Sequence, residues 1–146
     1  MEREERDTEA GRARLGLSGA PRWVSRAVVD AIHSDLIQKH GGSRGVRDVP
    51  LLESALDRPR NRHLYDPDAD LADLAAAYSV GIATNHAFID GNKRTAFQVM
   101  YVFLGLNGYR IVASEPAVGA LMVDVAAGTI DEVGLAEWCR VNVVTR

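Results

Sequence analysis

The side chains best suited to chemistry lie within one short run, His86-Ala-Phe-Ile-Asp-Gly-Asn-Lys-Arg94. Gly91 tolerates positive φ and stands before a run of backbone N–H groups that opens a helical pattern. Such a turn forms an anion-binding nest, reinforced by the helix dipole and by the unpaired amides of the first turn. Lys93 and Arg94 add two cations there, and a guanidinium grips phosphate oxygens in a bidentate way. Phosphate is the expected guest. Asp90 can either cap the helix or hold Mg²⁺ bridged to the phosphates, because magnesium takes only one or two protein carboxylates and completes its shell with water and phosphate. A histidine ordinarily titrates near 6.5. His86 can therefore accept a proton from an attacking hydroxyl, and Phe88 is the apolar plug that would hold the connector against the core. A histidine at a helix end is often structural, and a Gly-Asn turn is often only a turn. Their combination in one connector leading into a buried helix favours a site.

Two helices must carry this connector. Asp70 caps the first, in which Leu71, Leu74, Ala75, Tyr78 and Ile82 follow the 3.6-residue period up to Asn85 and His86. The second runs from about Arg94 to Leu106 with almost no polar face, the mark of a buried helix. Upstream, Val24, Val28, Ile32 and Leu36 recur every fourth residue from Trp23 to Lys39, widened by Val29 and Ile37, and Gly41-Gly42 ends that helix. Asp48 and Pro50 start a short helix through Leu56 that stops before Pro59, with Leu51, Leu52, Ala55 and Leu56 inward. Residues 60–70 read as a polar surface connection. Downstream, Tyr109 to Val112 could form a short strand. Ser114 opens a helix that buries Val118, Leu121, Met122 and Val125 and closes at Gly128. A last helix from about Asp131 to Val143 buries Val133, Leu135 and Trp138. The expectation is an all-α domain of about six helices around a buried central helix, with little or no strand. Residues 1–20 form a charged flexible tail and residues 21–146 the catalytic domain.

Composition narrows the function classes. The chain has 146 residues, 47% hydrophobic and 25% charged, which suits one soluble domain with its own core. Its single cysteine, Cys139, excludes an internal disulfide and reads as a small packing residue in a reducing interior. A net charge of −3 without a basic cluster argues against direct nucleic-acid binding. No apolar run is long enough for a membrane span or a signal peptide, so a cytoplasmic location is expected.

The run His86 to Phe97, HAFIDGNKRTAF, resembles the core motif of the Fic/Doc family, and Lys93 resembles its Doc, or death-on-curing, branch. The likeness continues in His40-Gly-Gly-Ser-Arg-Gly-Val-Arg-Asp48, in Leu51-Leu-Glu-Ser-Ala-Leu56 with Arg58-Pro59, and in Phe103-Leu-Gly-Leu-Asn-Gly-Tyr109. The resemblance implies the Fic/Doc fold and a toxin that transfers the γ-phosphate of ATP to a threonine of elongation factor Tu, stopping translation. By position, His86 would be the catalytic base, and Asp90 would ligate Mg²⁺ or orient the acceptor. Gly91, Asn92, Lys93 and Arg94 would bind the phosphates, Arg94 also serving catalysis. Relatives that transfer AMP carry a glycine in place of Lys93 and a second arginine in place of Phe97, so this chain departs from them at their grip on the nucleotide; Gly91 does not discriminate. The Ser/Thr-containing motif of the wider family's inhibitory helix is absent. Control would then come from a Phd-like antitoxin whose disordered tail folds into a hydrophobic groove between the amino-terminal helices.

Two readings of other classes stand beside this one. The chain could be a Fic-fold binding module without catalysis, or a metal hydrolase built on His33, His40, His63 and His86, whose spacing matches no compact metal motif. His33 and His63 otherwise read as structural or solvent-facing, Arg47 and Asp48 as loop-fixing and capping groups, and Trp23 and Trp138 as core or groove anchors.

Overall fold

Short polar side chains start most of the helices. In the computed structural model, which describes residues 13–146, they are α1 (Arg26–His40), α2 (Val49–Tyr65), α3 (Leu71–Asn85), α4 (Asn92–Leu106), α5 (Glu115–Ala127) and α6 (Glu132–Val141). Ser25, Asp48, Ser114 and Asp131 each accept a first-turn backbone N–H at the head of α1, α2, α5 and α6. Asp70 and Asp73 form a reciprocal capping box on α3. Only α4 among the described helices begins without a side-chain cap, on Gly91.

The all-α expectation holds, but the central helix is α3, which is also the more apolar of the two, rather than α4. Eleven of the fifteen residues of α3 are buried, including six consecutive positions from Leu74 to Ser79. Alanine and glycine contribute little to a hydrophobicity pattern, yet they let neighbouring helices approach on every side. At Gly81 a Cβ would stand 3.3 Å from the Cα, Cβ and carbonyl oxygen of Ala55 on α2. That carbonyl is the one left without its helical donor by Pro59, four residues on, which has no N–H. Pro59 therefore sits buried inside α2 instead of ending it, and the helix continues through most of the stretch expected to be a loop. Tyr78 fills the middle of the core, its ring against Trp23 and Phe103 and its hydroxyl accepting the Val24 N–H at 3.0 Å. Full burial of a side chain of that size contributes about 2 kcal/mol.

Other expectations need adjustment. The buried face of α1 is Val29, His33 and Ile37, while Val28 is exposed and Ile32 and Leu36 are half-buried. The face is turned by one residue because His33 packs inward. Val133 is exposed on α6, whereas Leu135 and Cys139 are buried. The chain leaves α6 at Asn142 and returns as β2 (Val143–Thr145), antiparallel to β1 (Tyr109–Ile111), with Arg110 opposite Val144.

Residues 1–12 of the expected tail lie outside the described residues. Its remainder is docked. Leu15 is buried, its N–H donates to Asp70 at 2.8 Å and its carbonyl accepts from Leu71. Asn107 holds the Arg22 backbone through both ends of its amide. Packing thus begins before Pro21, because Leu15 caps the hydrophobic end of α3. No described helix is long and apolar enough to cross a membrane.

Candidate active site

The connector between α3 and α4 is held rigidly by its own residues and by two neighbouring segments. His86 closes α3 in the left-handed conformation, φ 50° and ψ 44°, and no other described residue except glycine has positive φ. Phe88 is buried and stacks on His33, ring centroids 3.9 Å apart and planes 12° from parallel, so it acts as the expected plug. His33 Nε2 lies 2.8 Å from the Asp90 carbonyl oxygen. A carbonyl only accepts, so this nitrogen carries the proton, and His33 is a buried strut under the turn.

Asn92 staples the connector from inside. Its Oδ1 accepts the Phe88 N–H at 3.0 Å and its Nδ2 donates to the Phe88 carbonyl at 2.9 Å. Both ends of the amide are thereby engaged, which leaves one Nδ2 hydrogen and the backbone N–H of Asn92 to meet an incoming anion. Asp90 does not cap α4. Its Oδ2 accepts the Ser43 N–H at 2.7 Å, while Oδ1 accepts no hydrogen bond from a described residue. The carboxylate is exposed and keeps one oxygen available to a cation.

Helix α4 starts two residues earlier than the pattern predicts, which places Lys93 and Arg94 in its first turn. Gly91 makes this possible with φ 78°. A Cβ there would also approach Ile37 Cδ1 to 3.1 Å. Among the described residues Lys93 and Arg94 form no ion pair, and both are exposed. The start of α4 thus combines uncapped amides, the positive end of a helix dipole and two exposed cationic residues, the elements of an anion site.

The loop over residues 42–48 closes the other side. Arg47 and Asp48 both donate their backbone N–H to the Ala87 carbonyl, at 2.7 and 3.1 Å, and Ile89 donates to Gly45 at 3.1 Å. An antiparallel bridge pairs Val46 with Phe88. Asp48 caps α2 and Arg47 binds carbonyls, so both have the structural roles expected of them. Sequence spacing carried no signal for the Ser43 and His33 contacts, since each spans more than forty residues.

No three His, Cys, Asp or Glu side chains gather into a metal centre among the described residues, so the four histidines do not assemble one. His63 instead meets Trp23 edge-on, and His40 is exposed. Two surface hollows of about 540 and 360 Å³ lie around Gly128 to Asn142 and around Arg58, Thr84 and Val133; neither contains a residue of the 86–94 run.

The class this defines is a helical domain with a histidine and a carboxylate beside an uncapped, cationic helix start. A family model described as the Fic/DOC family matches residues 23–104. Protein kinase doc of Escherichia phage P1 is 34% identical over 119 residues, covering 82% of this chain and 94% of that protein. Toxin Doc of Mycolicibacterium smegmatis is 45% identical over 75 residues, 50% of this chain and 57% of that protein. The chain belongs to the Fic/DOC family and, within it, to the Doc branch.

Proposed function

We propose that this chain is the toxin of a cytoplasmic toxin–antitoxin pair and transfers the γ-phosphate of ATP to a threonine hydroxyl of a translation factor such as elongation factor Tu. The observation that carries the reading is the uncapped start of α4, with Lys93 and Arg94 exposed in its first turn and the exposed His86 at the other end of the same connector. The match to a protein named a kinase over 82% of the chain supports phosphate as the group transferred. The catalytic unit spans residues 21–146, with the Leu15 segment docked on it.

In this mechanism the N–H groups at Gly91 to Arg94, with the Lys93 and Arg94 side chains, hold the phosphate oxygens and stabilise charge on them as the reaction proceeds. His86 accepts the proton of the acceptor hydroxyl while that oxygen is held in line. Asp90, with its open Oδ1, would hold Mg²⁺, which would neutralise phosphate charge when bound. A Phd-like antitoxin would restrain the toxin through a tail that folds into a groove beside the amino-terminal helices.

The deciding experiment incubates the full chain with ATP, Mg²⁺ and elongation factor Tu and weighs the product. A gain of one phosphate, lost in His86→Ala, is expected. A gain of one AMP overturns phosphate transfer, and an unmodified target together with undiminished toxicity of His86→Ala overturns the enzyme reading.

A further inference from the structure

The structure assigns Arg47 the role of positioning residue for His86, an inference that rests on reading His86 as the base. Among the described residues the His86 ring has no hydrogen bond, ion pair or ring contact. Most basic histidines are aimed by a carboxylate or carbonyl on their second nitrogen. Here that aim must come from the backbone, and the backbone is held in a conformation that a residue with a Cβ rarely adopts.

Arg47 supplies the hold. Its Nε donates to the His86 carbonyl at 2.9 Å and its Nη2 to the same oxygen at 2.6 Å, with Nη2 also 3.4 Å from the Asn85 carbonyl. These carbonyls end α3, where they lack helical donors and carry the negative end of the dipole, so a cation is favoured there. Two N–H groups of one planar fork on a single oxygen fix the plane of the peptide after His86, and therefore its ψ. With φ and ψ set, the Cα–Cβ direction is set, and the imidazole sweeps only its own rotamers. Arg47 is registered in turn by its backbone N–H on Ala87. The same loop holds Asp90 through Ser43, so one segment fixes both proposed reactive groups. Arg47 is exposed, and exposed polar contacts add little to global stability. Its effect should therefore appear in the chemical step and not in the melting temperature.

The test compares Arg47→Ala and Arg47→Lys in the full chain with the wild type. Arg47→Ala should lower kcat for phosphate transfer by about 10²-fold, the cost of a misplaced group, while KM for ATP stays within roughly twofold. Millimolar guanidinium should restore part of the Arg47→Ala rate, and Arg47→Lys, which lacks the fork, should fall between. Independently of activity, the Cα and carbonyl NMR shifts of His86 should leave their left-handed values in Arg47→Ala. Unmoved His86 shifts overturn the proposal whatever happens to the rate, as does a change confined to KM. A wild-type chain that transfers nothing refutes the function, and the NMR shifts alone then decide the positioning role.

Discussion

Replacing His86 separately by glycine and by alanine distinguishes the backbone this position demands from the imidazole it carries. At an ordinary helical position alanine is more stable than glycine by about 0.5–1 kcal/mol, because glycine loses more freedom on folding. Position 86 is left-handed at φ 50°, where a Cβ costs roughly 1–2 kcal/mol. The Cβ penalty exceeds the entropy term, so the order should invert, with His86→Gly more stable than His86→Ala by about 1 kcal/mol. The Arg47 bonds go to the His86 carbonyl and persist in both variants, and the exposed ring gives up little packing in either. For a domain near this size the difference is about 2–4 °C in Tm. Urea unfolding followed by circular dichroism measures it directly, with equal m-values showing that the unfolded states are comparable. Both variants should lose transfer equally. If His86→Ala proves as stable as His86→Gly, position 86 is not left-handed in solution, and the strained, pre-aimed base falls with it.

Further expectations concern the frame around the site. Gly81→Val would push a branched side chain onto the Ala55 backbone, where even a Cβ stands at 3.3 Å, and should cost roughly 1–3 kcal/mol in urea unfolding. Burial raises the pKa of the Asp70 carboxyl, but the Arg140 guanidinium and the Asp73 and Leu15 amides outweigh it and hold the carboxyl below its usual 3.8. A depressed folded pKa stabilises above the unfolded value and is lost as pH falls through the folded one, so acid titration of stability should flatten below about pH 4 in Asp70→Asn. Arg140→Met leaves the Asp70 charge buried and unpaired and should destabilise by about 3–5 kcal/mol at neutral pH. The thiol of Cys139 is fully buried against Met100 and is pushed up to about 12 by desolvation, so it should resist Ellman's reagent at pH 8 until the chain is unfolded.

Much of the fold was legible in local chemistry. Asp48, Asp70, Ser114 and Asp131 announce helix starts because a cap acts within three residues, and sequence displays that range directly. The candidate site was legible for the same reason, since His86, Asp90, Gly91, Lys93 and Arg94 lie in one connector. Pattern failed where the deciding contact was distant or small. Pro59 reads as a stop until Gly81 is seen to let another helix pack closely against the turn whose carbonyl it frees. The alanines of α3 blur its helical periodicity, yet their small volume makes that helix the centre. Asn92 reads as a ligand for phosphate, and only the structure shows that its amide also closes on Phe88 and shapes the connector.

Sequence by itself determined which residues could do chemistry here and that two cations would lie at a helix start, because both depend on neighbours along the chain. Only the tertiary structure decided how those residues are held: His33 beneath the turn, Ser43 on Asp90 and Arg47 on the His86 carbonyl all arrive from the segment over residues 33–47. Direction at a site is set by contacts through space, and the spacing of residues along a chain does not encode them.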